Sequence, residues 1–396
     1  MAAETASPLP SNAFPSQPTK ITSIKTLAES PGLTSIPATH TFTPDLHGQA
    51  LLAVEDQVTA TDLRDEDQDN DPEITADHII PALLTQRSRV RISPPPFYLI
   101  KTKHKVMWAC ASFKPKELSL EGVINHGVPH KLLSSILDGC KGFFDLAEEE
   151  KQEFKGNHVL DPIRSGTSSN VSVEKAFYWR DFLKVFVHPV FYSPTKPTGL
   201  SEISLEYSQR VREIARGLLT GISESLGLEG SYIDKALNLE RGKQIFIANL
   251  YPTCPQPELA MGMPPHSDHG LLTLLIQNGI GGLQIQHKGK WVNVGTHPNS
   301  FLVNTGDHLE ILSNGRYKSV LHRAMVNSKG TRMSIAMAHG PSLDSVVSPA
   351  PELLVSSEGD EPAAYIGMKY KDYLELQQSN KLDGKSCLDR VRISAV

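Results

Sequence analysis

Residues Met263–Gln277 read MPPHSDHGLLTLLIQ. The same texture returns at Ser300–Val326, SFLVNTGDHLEILSNGRYKSVLHRAMV, and at Thr331–Met337, TRMSIAM. Short apolar runs punctuated by Asn-Gly, Gly-Gly, Lys-Gly and Pro-Asn pairs are the pattern of strands joined by turns. From Gln244 onward the candidates are QIFIANL, LLTLLIQ, GLQIQHKGKWVNV, SFLVNTG, HLEIL, YKSVLHRAMV and RMSIAMA. No helical periodicity intervenes, so the expected fold class is mainly β with supporting helices, a sandwich or jelly-roll barrel.

On a strand, His266 and Asp268 are two apart and share one face, and His269 turns to the other. A carboxylate aimed into a barrel needs a cation or hydrogen-bond donors. For a third metal ligand, His287 and His297 read as exposed turn residues and His308 as lying near a turn. His322 sits inside an apolar strand, the rigid setting a ligand needs. Two imidazoles and one carboxylate on one side of a metal, with the remaining positions open, suit non-heme Fe(II) in oxygen chemistry. Arg332 and Ser334 also share a strand face. A guanidinium inside an apolar barrel calls for an anion, which it can grip bidentately beside a serine hydroxyl. The competing reading of Arg332 is an internal ion pair. Tyr251 is a further candidate for the same anion, or else a buried phenol bonded to backbone.

Working outward, residues 1–78 are Pro-, Ser- and Thr-rich and then acidic, and are expected to be largely disordered apart from a short helix around Ile21–Glu29. Residues 79–200 read as an N-terminal domain whose first part, 79–121, carries RSRVRISPPPFYLIKTKHKVMW, a basic stretch broken by three prolines. A strand at Gly122–Asn125 precedes a helix with Leu132, Leu133, Ile136, Leu137 and Cys140 at helical spacing. Aromatic and β-branched alternation from Arg164 to His188 marks strands. There Phe177, Trp179 and Arg180 are candidate substrate contacts; for Arg180 the rival roles are bridges to Asp181 or Glu174. Residues 201–243 hold a long supporting helix, Ser201–Leu226, with Tyr207, Val211, Ile214, Leu218 and Ile222 on one face. The catalytic barrel is expected over 244–345, and 346–396 as coil with a helix around Ile366–Ser379.

A net charge of -5 offers no general attraction for nucleic acid or an acidic membrane surface, so a small-molecule partner is expected. Four scattered cysteines form neither a zinc ribbon nor a disulfide framework, and no apolar run spans a bilayer. These features point to a cytoplasmic monomer.

The HSD at His266–Asp268, the strand-embedded His322, RMS at Arg332–Ser334, NLYPTCPQP at Asn249–Pro257 and VINHGVP at Val123–Pro129 together resemble the plant Fe(II)/2-oxoglutarate-dependent dioxygenases, a family that includes flavonol synthases, gibberellin oxidases and salicylate hydroxylases. The likeness runs from about Val123 to Gln377; residues 79–121 depart from the family pattern. It implies a double-stranded β-helix with Fe(II) on His266, Asp268 and His322. It also implies 2-oxoglutarate on Arg332 and Ser334, with Tyr251 and Asn249 assisting, O2 as oxidant and ascorbate as reductant. The implied reaction releases succinate and CO2 while hydroxylating or desaturating a flavonoid, gibberellin or phenolic metabolite. Two rivals remain at this level: an ascorbate-dependent oxidase of the aminocyclopropane-carboxylate oxidase type, and a catalytically impaired barrel that only binds small molecules.

Overall fold

The computed structural model describes residues 23–42, 98–102, 105–109, 120–167, 176–295, 297–356, 359–379 and 384–393. Strands β1 (Tyr98–Thr102), β2 (Lys105–Ala109), β3 (Leu120–Ile124), β4 (Ile163–Thr167), β5 (Asp181–His188) and β6 (Gln244–Tyr251) come first. They are followed by β7 (Met263–His266), β8 (Leu272–Gln277), β9 (Leu283–His287), β10 (Lys290–Asn293), β11 (Phe301–Thr305), β12 (His322–Ala324) and β13 (Arg332–His339). Nine of them form one antiparallel sheet in the order β1-β2-β3-β11-β8-β13-β6-β5-β4, and the other four form a second, β10-β9-β12-β7. Two facing antiparallel sheets with this strand content make the jelly-roll expected.

Alternation decides which face each side chain serves. Phe246, Ala248 and Leu250 on β6, Leu274 and Ile276 on β8, and Met333, Ile335 and Met337 on β13 point outward into the main core, against α2 (His130–Phe144) and α4 (Leu200–Ser225). The buried stripe of α4 includes Tyr207, Val211, Ile214, Leu218 and Ile222, as its spacing requires. Replacing Ile214 with alanine would cost about 2–5 kcal/mol. The opposite parity, including Leu275, Leu302 and Ala336, points inward toward Leu283, Ile285 and Val320.

Several expectations change. The short helix expected around Ile21–Glu29 is present as α1 (Ile24–Ala28), but the described stretch runs on to residue 42: Ile24 is fully buried, and Asp181 accepts hydrogen bonds from the Ile24 and Lys25 backbone N–H groups and from Ser23 Oγ. A carboxylate from another element thus satisfies donors that composition could not pair. HLEIL, read as a strand, is the helix α6 (Asp307–Leu312), capped after Gly306 and wholly buried. YKSVLHRAMV yields only the short β12. The division between 79–200 and 244–345 is crossed by hydrogen bonds, because β3 pairs with β11 and β5 with β6. The remaining residues of 1–78, those of 79–97 and Glu174 lie outside the described residues.

Candidate active site

The site forms where the mouths of the two sheets face each other. His322 on β12 lies directly opposite His266 at the end of β7, and the two rings are 4.2 Å apart. Asp268 is not on the strand. β7 ends at His266, and a turn held by the Asp307 N–H on the Asp268 carbonyl brings the carboxylate round, so the convergence comes from the turn and not from strand alternation. One ligand atom from each of His266, Asp268 and His322 lies within 4.8 Å of the other two, and His322 Nε2 is 3.8 Å from Asp268 Oδ1.

Hydrogen bonds set the direction of the lone pairs. His266 Nδ1 is 2.8 Å from the Pro264 carbonyl and His322 Nδ1 is 3.2 Å from that of Val320. A carbonyl accepts only, so both protons sit on Nδ1 and both Nε2 lone pairs face the centre. Burial, reinforced by the neighbouring His322, lowers the His266 pKa to about 3, which keeps that imidazole neutral. Burial pushes the Asp268 carboxyl up, but His322 and His266 outweigh it and hold it below the usual carboxylate range. Asn304 Nδ2 donates to Asp268 Oδ2 at 3.3 Å.

Arg332 is buried on the inner face of β13, next to Ser334 in the same alternation. Its Nε and Nη2 donate to Gln277 Oε1 at 3.2 and 3.0 Å, its carbon Cζ lies 5.0 Å from the Tyr251 ring centroid, and Nη1 is buried with no hydrogen-bond partner among the described residues. The ion pair that competed for Arg332 does not form among the described residues. Gly282, at φ +137°, makes room for this guanidinium: a Cβ there would stand 3.1 Å from Arg332 Cδ and 2.7 Å from the Met325 carbonyl. Tyr251 and Asn249, on β6, lie across from Arg332 and Ser334 in register.

The three substrate candidates separate. Trp179 is fully buried, with its indole N–H on the Pro252 carbonyl and its ring packed with Ile24 and Ile36 of the N-terminal segment. Phe177 packs edge-on against His40. Arg180 bridges the mouth, with Nη1 donating to Asn249 Oδ1 and Met263 Sδ, while Asp181, within its electrostatic reach, is hydrogen-bonded to α1. Gln277, Asn304 and Thr273 escaped notice; each is a polar residue at inward parity in an otherwise apolar strand, and that was the available signal.

Comparison with known proteins now bears on this geometry. Residues 242–341 match the 2OG-Fe(II) oxygenase superfamily, and residues 120–203 match the N-terminal domain described as non-haem dioxygenase in morphine synthesis. The chain is 48% identical over 272 residues to 2-oxoglutarate-dependent dioxygenase 19 of Oryza sativa subsp. japonica, covering 68% of this chain and 80% of the relative. It belongs to the 2-oxoglutarate- and Fe(II)-dependent oxygenases. This oxygenase is also 38% identical over 275 residues to flavanone 3-dioxygenase 2 of the same rice, covering 68% and 79% of the two chains. Its fold matches the crystal structure of JOX2 in complex with 2OG, Fe and JA at a TM-score of 0.73 and 26% identity, over 95% of this chain and 99% of that one. The oxygenase is therefore an oxidoreductase of the Fe(II)- and 2-oxoglutarate-dependent family, in which ascorbate is a common reductant.

Proposed function

We propose that His266, Asp268 and His322 hold the Fe(II) of this oxygenase, and that Arg332 and Ser334, assisted by Tyr251 and Asn249, hold the distal carboxylate of 2-oxoglutarate. The observation that carries this reading is the pairing of two anchored imidazoles and a charged carboxylate, mutually within 4.8 Å, with a buried guanidinium whose Nη1 makes no hydrogen bond among the described residues. Neutral nitrogen plus carboxylate oxygen is the donor set that suits Fe(II) with open positions. Metal and keto acid, once bound, supply the oxidising chemistry that releases succinate and CO2 as the substrate is hydroxylated or desaturated.

The chain's own groups do the rest. Val320 and Pro264 carbonyls fix the ring orientations, Asn304 steadies Asp268, and Arg332 Nη1 supplies a charge-assisted donor to the diacid. The inward apolar residues Leu275, Ala336 and Ile285 keep water from the reacting centre. Anaerobic addition of Fe(II) to the protein with 2-oxoglutarate should produce the visible charge-transfer band of the chelate, lost in His322→Ala. Arg332→Ala should weaken 2-oxoglutarate binding by roughly 100-fold or more, the effect of removing one side of a buried charge pair. A band that survives His322→Ala would overturn the ligand assignment. Substrate oxidation that proceeds with ascorbate alone, without 2-oxoglutarate and without succinate release, would favour the ascorbate-dependent rival. A monomer in the cytoplasm is the proposed working form, supported by the net charge and scattered cysteines and testable by sedimentation and by imaging of a tagged protein.

A further inference from the structure

The guanidinium of Arg332 is held by a neutral amide. Gln277 ends β8 and stands directly opposite Ser334 in the ladder with β13, so its side chain shares the inward face with Ser334 and Arg332. Arg332 Nε and Nη2 both donate to Gln277 Oε1. Those two bonds fix the sense of the amide, because the reverse orientation would set N–H groups against N–H groups. Asn278 locks the strand end in place. Its Oδ1 accepts from the Met333 N–H, its Nδ2 donates to the Thr331 carbonyl, and its own backbone N–H donates to the Met333 carbonyl.

This cluster leaves donors over. Arg332 Nη1 and Gln277 Nε2 are both buried and make no hydrogen bond among the described residues. They belong to side chains already bonded to each other, so one cluster presents two donors that call for an acceptor. Burial pulls the Arg332 pKa below its ordinary value and the neighbouring Tyr251 opposes that pull; no carboxylate among the described residues does so. The chemical nature of the holder then matters. A carboxylate in place of Gln277 would accept the same two bonds and grip the guanidinium harder, but it would also spend the positive charge. An amide oxygen aims the fork and leaves the charge available to an incoming anion.

Resting on the 2-oxoglutarate reading above, we propose that Gln277 is a specificity-determining residue for the keto acid: its Oε1 aims Arg332 without neutralising it, and its Nε2 donates to the same distal carboxylate. That carboxylate is then shared by Arg332, Ser334 and Gln277. The preference for a diacid over a monoacid depends on the last of these being an uncharged amide.

The test compares 2-oxoglutarate with 2-oxopentanoate, which keeps the keto-acid end and carries a methyl group in place of the distal carboxylate. Both are titrated calorimetrically into the protein with Mn(II) saturating, a stand-in for Fe(II) at nitrogen and oxygen donors, and the ratio of the two affinities is read. Gln277→Glu should lower that ratio about 10- to 100-fold, the worth of a hydrogen bond to a charged group. In the same variant 2-oxopentanoate affinity should not move and the melting temperature should not fall. Gln277→Leu leaves Arg332 charged but removes its holder and the Nε2 donor, and should lower the ratio about 3- to 10-fold. A merely structural role would instead lower the melting temperature and weaken both acids together. A ratio unchanged in Gln277→Glu, or equal losses for the two acids, would overturn the proposal. If Gln277→Glu does not fold, Gln277→Leu decides by the same ratio. Arg332→Ala separates the proposal from the reading beneath it. A ratio that survives loss of the guanidinium counts against the 2-oxoglutarate site, whereas a ratio lost in Arg332→Ala and kept in Gln277→Glu counts against Gln277 alone.

Discussion

His266, Asp268 and His322 on one side of the HSD turn, and Asp307, His308 and Glu310 on α6 on the other, are drawn from the same residue types but aim their polar atoms differently. In the first set each imidazole spends one nitrogen on a backbone carbonyl and turns the other toward a shared centre. In the second, the protein's own donors converge on one oxygen of Asp307 and on both of Glu310, while Asp307 Oδ1 and His308 Nε2 make no hydrogen bond among the described residues. Glu310 is fully buried and accepts from Ser319 N and Oγ, Tyr365 Oη, Lys385 Nζ and Arg392 Nη2. Asp307 accepts from Ser267 Oγ and Tyr373 Oη, and His308 donates to the His269 carbonyl between the rings of Tyr370 and Tyr373. Gln377 on α7 (Tyr370–Ser379) reaches the Ser267 carbonyl. The α6 cluster thus fastens the C-terminal segment to the turn that presents Asp268. Histidine and carboxylate in company do not make a metal centre; the direction of their lone pairs does.

The comparison can be broken by exchanging the expected losses. His266→Ala should abolish the Fe(II)–2-oxoglutarate band and reduce succinate release to background, with stability changed by no more than about 1 kcal/mol; a large fall in melting temperature would show that this cluster is structural too. Glu310→Ala should do the reverse, costing about 3–5 kcal/mol in denaturant unfolding as buried partners lose their counter-charge, while surviving folded protein keeps its Fe(II) affinity. A tenfold loss of Fe(II) affinity in that variant would erase the distinction.

Acid should expose the same contrast through His308 and His339, which burial pulls to about 4 and about 3. Their folded pKa values lie below the unfolded value of 6.5, so the unfolded chain takes up protons first. The stability they confer is complete above pH 6.5 and is lost as pH falls toward 4, on the order of 3 kcal/mol for His308. Unfolding free energy measured from pH 7 to 4 should fall steeply, and less so in His339→Gln; an unchanged slope would show that His339 is not held neutral. The smallest effect concerns the neighbour of the metal ligands: Asn304→Ala should weaken Fe(II) binding about 10- to 100-fold through Asp268, with little change in melting temperature.

Much of this was legible in residue order. The strand alternation that places Arg332 with Ser334, the apolar setting of His322, and the stripe on α4 are periodic signals, and local geometry honours them. HLEIL misled because five residues of mixed apolar and polar character fit a strand or one helical turn equally well, and only burial on all sides chooses the helix that starts after the extended Gly306. Residue order leaves the setting of Trp179 open, because an aromatic beside a predicted pocket reads the same whether its ring faces the cavity or, as here, packs with the N-terminal segment.

Residue order by itself determined the strand-rich class, the supporting helices and the list of groups able to bind a metal and a diacid, because side-chain chemistry and local periodicity are properties of neighbours in the chain. Tertiary structure alone decided that Asp268 arrives by a turn, that Asp181 caps a helix some 157 positions away, and that Arg164 stands beside Lys184. Those are pairings between distant segments, set by sheet register and burial, which no local pattern encodes.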